Sequence, residues 1–102
     1  MDEREILERA ASFVKRADEL FHSKVKTADR VRSAQLLRAE MTDESKNLAK
    51  WLKRSQIERP HALYQAQEFY TDSLVNTIGK TSQSNFEEFL YNVMDYARYH
   101  LN

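Results

Sequence analysis

The chain has no cysteine, one glycine (Gly79) and one proline (Pro60). The missing cysteine excludes disulfides, thiolate metal sites and cysteine nucleophiles. A single glycine excludes a glycine-rich loop of the kind that cradles phosphates. Sheets reverse direction every few residues and lean on Gly and Pro to do so, so a chain this poor in both is built from few, long elements. Net charge is also lacking: sixteen Lys and Arg balance sixteen Asp and Glu. Bulk charge therefore gives no ground for a nucleic-acid or membrane partner. No apolar run approaches the ~18 residues a membrane span needs. The opening Met1 to Glu5 is acidic and has no apolar centre like that of a signal peptide. These absences describe a soluble, cytoplasmic protein with no membrane partner.

What is present suits one helical domain over residues 1–102. The composition is 41% hydrophobic and 31% charged, enough apolar material for one modest core. Good helix formers, chiefly Ala, Leu, Glu, Lys, Arg and Gln, dominate. The spacing predicts four amphipathic helices, at about residues 2–24, 27–54, 60–78 and 84–101, packed as an all-α antiparallel four-helix bundle.

In the first helix, Ile6, Ala10, Phe13, Ala17 and Leu20 step by four and three, with Leu7, Val14 and Phe21 widening the stripe. Asp2, Glu3 and Glu5 suit the positive end of its dipole. In the second, Val31, Ala34, Leu37, Met41, Leu48 and Trp51/Leu52 mark the inner face. Thr42-Asp43-Glu44 could begin a new helix there, but one continuous helix is the preferred reading. Pro60 suits the start of the third helix and Gly79 its end. Leu63, Ala66, Tyr70, Leu74 and Ile78 form its core line. Ser84 and Glu87 make a capping box ahead of the fourth. The first two helices read as longer than the last two, a mismatch that a second copy could cover.

The search for chemistry yields little. Glu19 with His22, and Glu58 with His61, have the Glu-x-x-His spacing that di-metal bundles use twice, but no further inward Glu pair accompanies them and Pro60 interrupts the second. Chance is the preferred explanation, and no metal or other cofactor is expected. Arg54 and His61, with six residues between them, resemble the Arg-x(4–6)-His motif of HEPN-type helical ribonucleases. That resemblance would imply RNA cleavage at a dimer cleft. It covers two residues with Pro60 between them, and a surface cation beside a first-turn histidine is the preferred reading. No Ser-His-Asp arrangement is present, and the chain reads as no enzyme.

Two surface features remain. Residues 24–60 hold ten basic and five acidic side chains, and Lys46, Lys50, Lys53 and Arg54, followed by Arg59, form a positive stripe on the second helix. Such a stripe could track phosphates; a solvated helix face is the plainer explanation. All five tyrosines lie between Tyr64 and Tyr99. Tyr91 and Tyr99, with Asp95 between them, fall on the polar side of the last helix, and exposed tyrosine is enriched at protein interfaces. The leading expectation is a non-enzymatic, regulatory protein–protein interaction module that binds another protein or itself as a homodimer through Tyr91, Asp95 and Tyr99. The alternative is a nucleic-acid-binding accessory subunit that uses the basic stripe.

Overall fold

A computed structural model of the chain describes residues 3–24, 26–54, 61–75 and 83–101, with side chains described at 3–24, 26–50, 61–74 and 86–101. Four helices account for nearly all of these: α1 (Glu3–Phe21), α2 (Thr27–Arg54), α3 (His61–Val75) and α4 (Gln83–His100). No strand occurs among the described residues. Successive helices run antiparallel. Arg9 pairs with Glu44 and Arg16 with Glu40 across α1 and α2, and His100 of α4 reaches Glu68 and Asp72 of α3. The fold is the all-α four-helix bundle expected from the spacing. α4 makes the largest contacts, with α1 and with α3, and every other pair of helices also touches.

Alanines let the helices approach closely. Ala10, Ala17, Ala34 and Ala66 are fully buried, and Ala97 is nearly so. Larger side chains fill the space between them, chiefly Leu37, Met41, Phe69, Tyr70, Phe89 and Val93. The rings of Phe13 and Tyr70 meet edge to face with centroids 6.1 Å apart, an arrangement the ring quadrupoles favour.

Boundaries differ from the expected ones in instructive places. α1 stops at Phe21 rather than near residue 24. Its last bonds run from the His22 N–H to the Asp18 carbonyl (3.1 Å) and from the Ser23 N–H to the Leu20 carbonyl (3.2 Å). The chain then reverses quickly, because the Lys26 carbonyl already accepts the Asp29 and Arg30 N–H groups that open α2. Arg30 closes this corner. Its guanidinium donates to the Leu20 carbonyl (3.0 Å) and the Phe21 carbonyl (3.1 Å), two of the acceptors a helix end leaves over, and reaches Glu87 of α4 at 3.4 Å.

α2 runs unbroken through Thr42. The Thr42 hydroxyl donates to the Arg38 carbonyl (2.8 Å), so it serves the existing helix and does not cap a new one. At 28 residues α2 spans about 42 Å, nearly the 45 Å long axis of the molecule. α1, α3 and α4 have 19, 15 and 18 residues, so the first two helices are the longer pair as expected, but α1 exceeds α4 by a single residue and α2 carries nearly all of the mismatch. Pro60 and residues 76–79, including Ile78 and the expected Gly79 cap, lie outside the described residues. α4 opens at Gln83, which places Ser84 within the first turn and not ahead of it. No helix among the described residues is long and apolar enough to cross a membrane.

Candidate functional site

The inner line of α1 occupies one side of the helix only. One position further on, Leu7, Ala11, Val14 and Phe21 turn towards α4, and Ala11 is exposed while the other three are half-buried. From the other side come Tyr91, Met94, Ala97 and Leu101 of the α4 segment, with Met94 and Leu101 half-buried. The result is an apolar seam open to solvent along the α1–α4 edge. Ala11, Val14, Met94, Ala97, Arg98 and Leu101 line one groove in it. A second groove, bordered by Glu3, Arg4 and Glu8, continues through Leu7 and shares Ala11 and Leu101 with the first. At the far end the rings of Phe21 and Tyr91 meet at 6.4 Å. From Leu7 to Phe21 the seam is about 21 Å long at the helical rise.

The other edge of α1 is charged. Arg9 donates to Glu44 at 3.1 Å, and Arg16 pairs with Glu40. The hydrogen bond that Arg9 donates to Glu44, and the Glu44 charge, raise the Arg9 pKa above its ordinary value. Beneath this pair lies the Tyr70 hydroxyl, buried and with no hydrogen-bond partner among the described residues. Burial first, and the nearby Glu44 carboxylate second, push its pKa well above that of an ordinary phenol, against the opposing effect of Arg9. Further along the α1–α2 edge, Leu36 is 60% exposed, beside a shallow groove lined also by Arg16, Glu19, Leu20, Ser23 and Ser33.

The α3–α4 edge holds the densest cluster of titratable side chains. His100, whose side chain is 11% exposed, places Nδ1 3.3 Å from Glu68 and Nε2 2.6 Å from Asp72. The ring thus lies between two carboxylates of α3, hydrogen-bonded to Asp72. Tyr96 stacks on the ring at 6.2 Å and Tyr99 meets it edge-on at 5.1 Å. The cluster clasps α3 to α4.

Tyr91 and Tyr99 are 55% and 82% exposed, and Asp95 is exposed between them. Eight residues apart, the two tyrosines diverge by about 80° around the helix. Tyr91 leans to Phe21 and the seam, whereas Tyr99 leans to His100. Lys46 and Lys50 are exposed, with Asp43 also exposed one turn before them. Lys53 and Arg54 belong to α2, but their side chains, like Arg59 and Glu58 entirely, lie outside the described residues. His61 is exposed at the start of α3. His22 is bound 3.3 Å from Asp18, its neighbour one turn back, and not by Glu19. No group of three side chains among the described residues is placed to hold a metal ion.

Sequence reasoning overlooked Met94 and Leu36 and assigned Leu7 and Val14 to the core margin. The signal it could have used is a second line on each helix. Positions 7, 11, 14, 18 and 21 step by four and three, and so do 87, 91, 94, 98 and 101. No model of a known protein family matches this chain, and no curated protein or solved structure is significantly similar to it.

Proposed function

We propose that the chain is a non-enzymatic interaction module that recognises a protein partner through the α1–α4 edge, with Tyr91 at one end of the contact and Asp95 and Tyr99 on the adjoining face of α4. The observation that carries this reading is the open seam of Leu7, Ala11, Val14, Met94 and Leu101. Apolar side chains left uncovered along one continuous line, with charged residues at the rim, are the usual mark of a protein contact. The α1–α2 edge, sealed by ion pairs, offers no comparable line. The best-organised polar cluster, around His100, is internally satisfied, which favours binding over catalysis.

The test is affinity capture from the cells that make the protein, comparing the natural chain with Leu7→Glu combined with Met94→Lys. Both positions reach solvent, so circular dichroism is expected to show the variant folded. The natural chain should retain a protein, itself or another, that the variant loses. Equal capture by both would remove the seam from the reading. Failure of the natural chain to bind any protein would remove the function.

The competing reading, nucleic-acid binding by the basic stripe, draws on the exposure of Lys46 and Lys50. Asp43 stands at the head of the same line and weakens the field there. Reversing Lys46 and Lys50 to Glu is expected to leave retention on immobilised single-stranded RNA unchanged at low salt. A clear loss of retention would favour that alternative instead.

A further inference from the structure

With no cysteine in the chain, methionine is the side chain a peroxide oxidises most readily, and there are three. Met1 lies outside the described residues. The other two are placed oppositely. Met41 is fully buried in the core. Met94 packs on the core with one side and lines the open groove of the seam with the other, beside the small side chains of Ala11 and Ala97. A thioether has no proton to lose, so access rather than ionisation governs how fast it is oxidised. The fold therefore shields one sulfur and offers the other to solvent, in the middle of the apolar line.

We propose that Met94 is an oxidation site that regulates the seam: a peroxide converts its thioether to the sulfoxide, which weakens partner binding without unfolding the bundle. This regulation rests on the reading of the α1–α4 edge as a recognition face. In the reaction the O–O bond of the peroxide breaks as an S–O bond forms; the sulfur is oxidised by two electrons, and hydrogen peroxide leaves as water. The product carries a strong acceptor oxygen where an apolar side chain had been. Because Met94 borders the groove, that oxygen can face water in the free chain and the core is left as it was. A partner laid over the seam would have to strip the water from it, which is unfavourable unless the partner supplies a donor there. The same oxygen on Met41 would lie inside the core and oppose folding itself. Methionine sulfoxide is reduced back by methionine sulfoxide reductases, so the change at Met94 is reversible.

The experiment treats the natural chain and Met94→Leu with dilute hydrogen peroxide and follows each methionine by peptide mass mapping. In the folded chain Met94 is expected to oxidise at least about tenfold faster than Met41, and in concentrated urea the two rates should converge. Circular dichroism should show the Met94 sulfoxide form folded. Its capture of the protein partner should fall at least about fivefold and return after treatment with the reductases, whereas Met94→Leu keeps its capture through the same treatment. Met94→Gln, similar in length and polar at its end, should lower capture with no oxidant present. Met94 and Met41 reacting at one rate in the folded chain overturns the oxidation site. Capture that is equal before and after Met94 is oxidised, or that falls equally in Met94→Leu, overturns the regulation and leaves the recognition reading standing. An untreated natural chain that captures nothing removes the recognition reading and the regulation with it.

Discussion

The two long edges of α1 solve the same packing problem in different ways. Towards α2 the edge is finished with charge: Arg9 with Glu44 and Arg16 with Glu40 bridge the helices over the core. Towards α4 the edge is finished with Leu7, Val14 and Phe21, which meet Met94, Tyr91 and Leu101 and stop half-buried. Surface ion pairs contribute little stability, up to about 1 kcal/mol each, but they place charge over the core and leave Leu36 as the one large apolar side chain exposed on this edge among the described residues. The α4 edge keeps its hydrophobic effect unspent until something covers it. A bundle needs only the first kind of edge to stand alone, and the second kind is the edge that the proposed function assigns to a partner.

Arg30 belongs to both edges, and removing it tests what they share. Its guanidinium holds the Leu20 and Phe21 carbonyls and reaches Glu87. Arg30→Ala is expected to cost about 2 kcal/mol in urea unfolding, within the range for hydrogen bonds from charged donors. It should also raise amide exchange at the end of α1. His100→Ala tests whether the α3–α4 edge resembles the sealed side. Loss of the Glu68–His100–Asp72 clasp is expected to cost about 1 to 2 kcal/mol, a fall of several degrees in melting temperature for a chain of this size.

Arg16→Ala probes the charged edge alone. The pair is partly exposed, so the expected loss is below about 1 kcal/mol and should shrink further in high salt, with partner capture unaffected. Smallest is Tyr70→Phe. It removes a buried hydroxyl with no hydrogen-bond partner among the described residues and is expected to be neutral or to stabilise by up to about 1 kcal/mol. Because burial raises the folded-state pKa of this phenol, the unfolded chain ionises first as pH climbs past the ordinary phenol value near 10. The natural chain should lose stability in that alkaline range, and Tyr70→Phe should lose less.

Much of the bundle was legible because its core repeats at the helical period. Ile6, Ala10, Ala17, Ala34, Leu37, Met41 and Leu48 are buried where the spacing placed them. Helix ends were less legible, since they depend on distant groups. α1 ends early at a corner held by Arg30, nine and ten residues further on, which no local pattern announces. Tyr91, Asp95 and Tyr99 were legible as exposed, because the wheel puts them opposite the core. Their separation into two edges was not, because it requires knowing that α1 lies on one side of α4 and α3 on the other. The seam itself was hidden for the same reason: Leu7 and Val14 look like core until the position of α4 shows that they stop short of it.

Two methionines allow the most direct test. Met41 lies fully buried in the core, and Met94 lies half-buried in the seam. With the methionine methyl groups carbon-13 labelled, addition of the protein that the natural chain captures should move the Met94 resonance and leave Met41 in place. A Met94 resonance that holds still while the chain demonstrably associates, or one that moves in step with Met41, would contradict the α1–α4 edge as the face of contact.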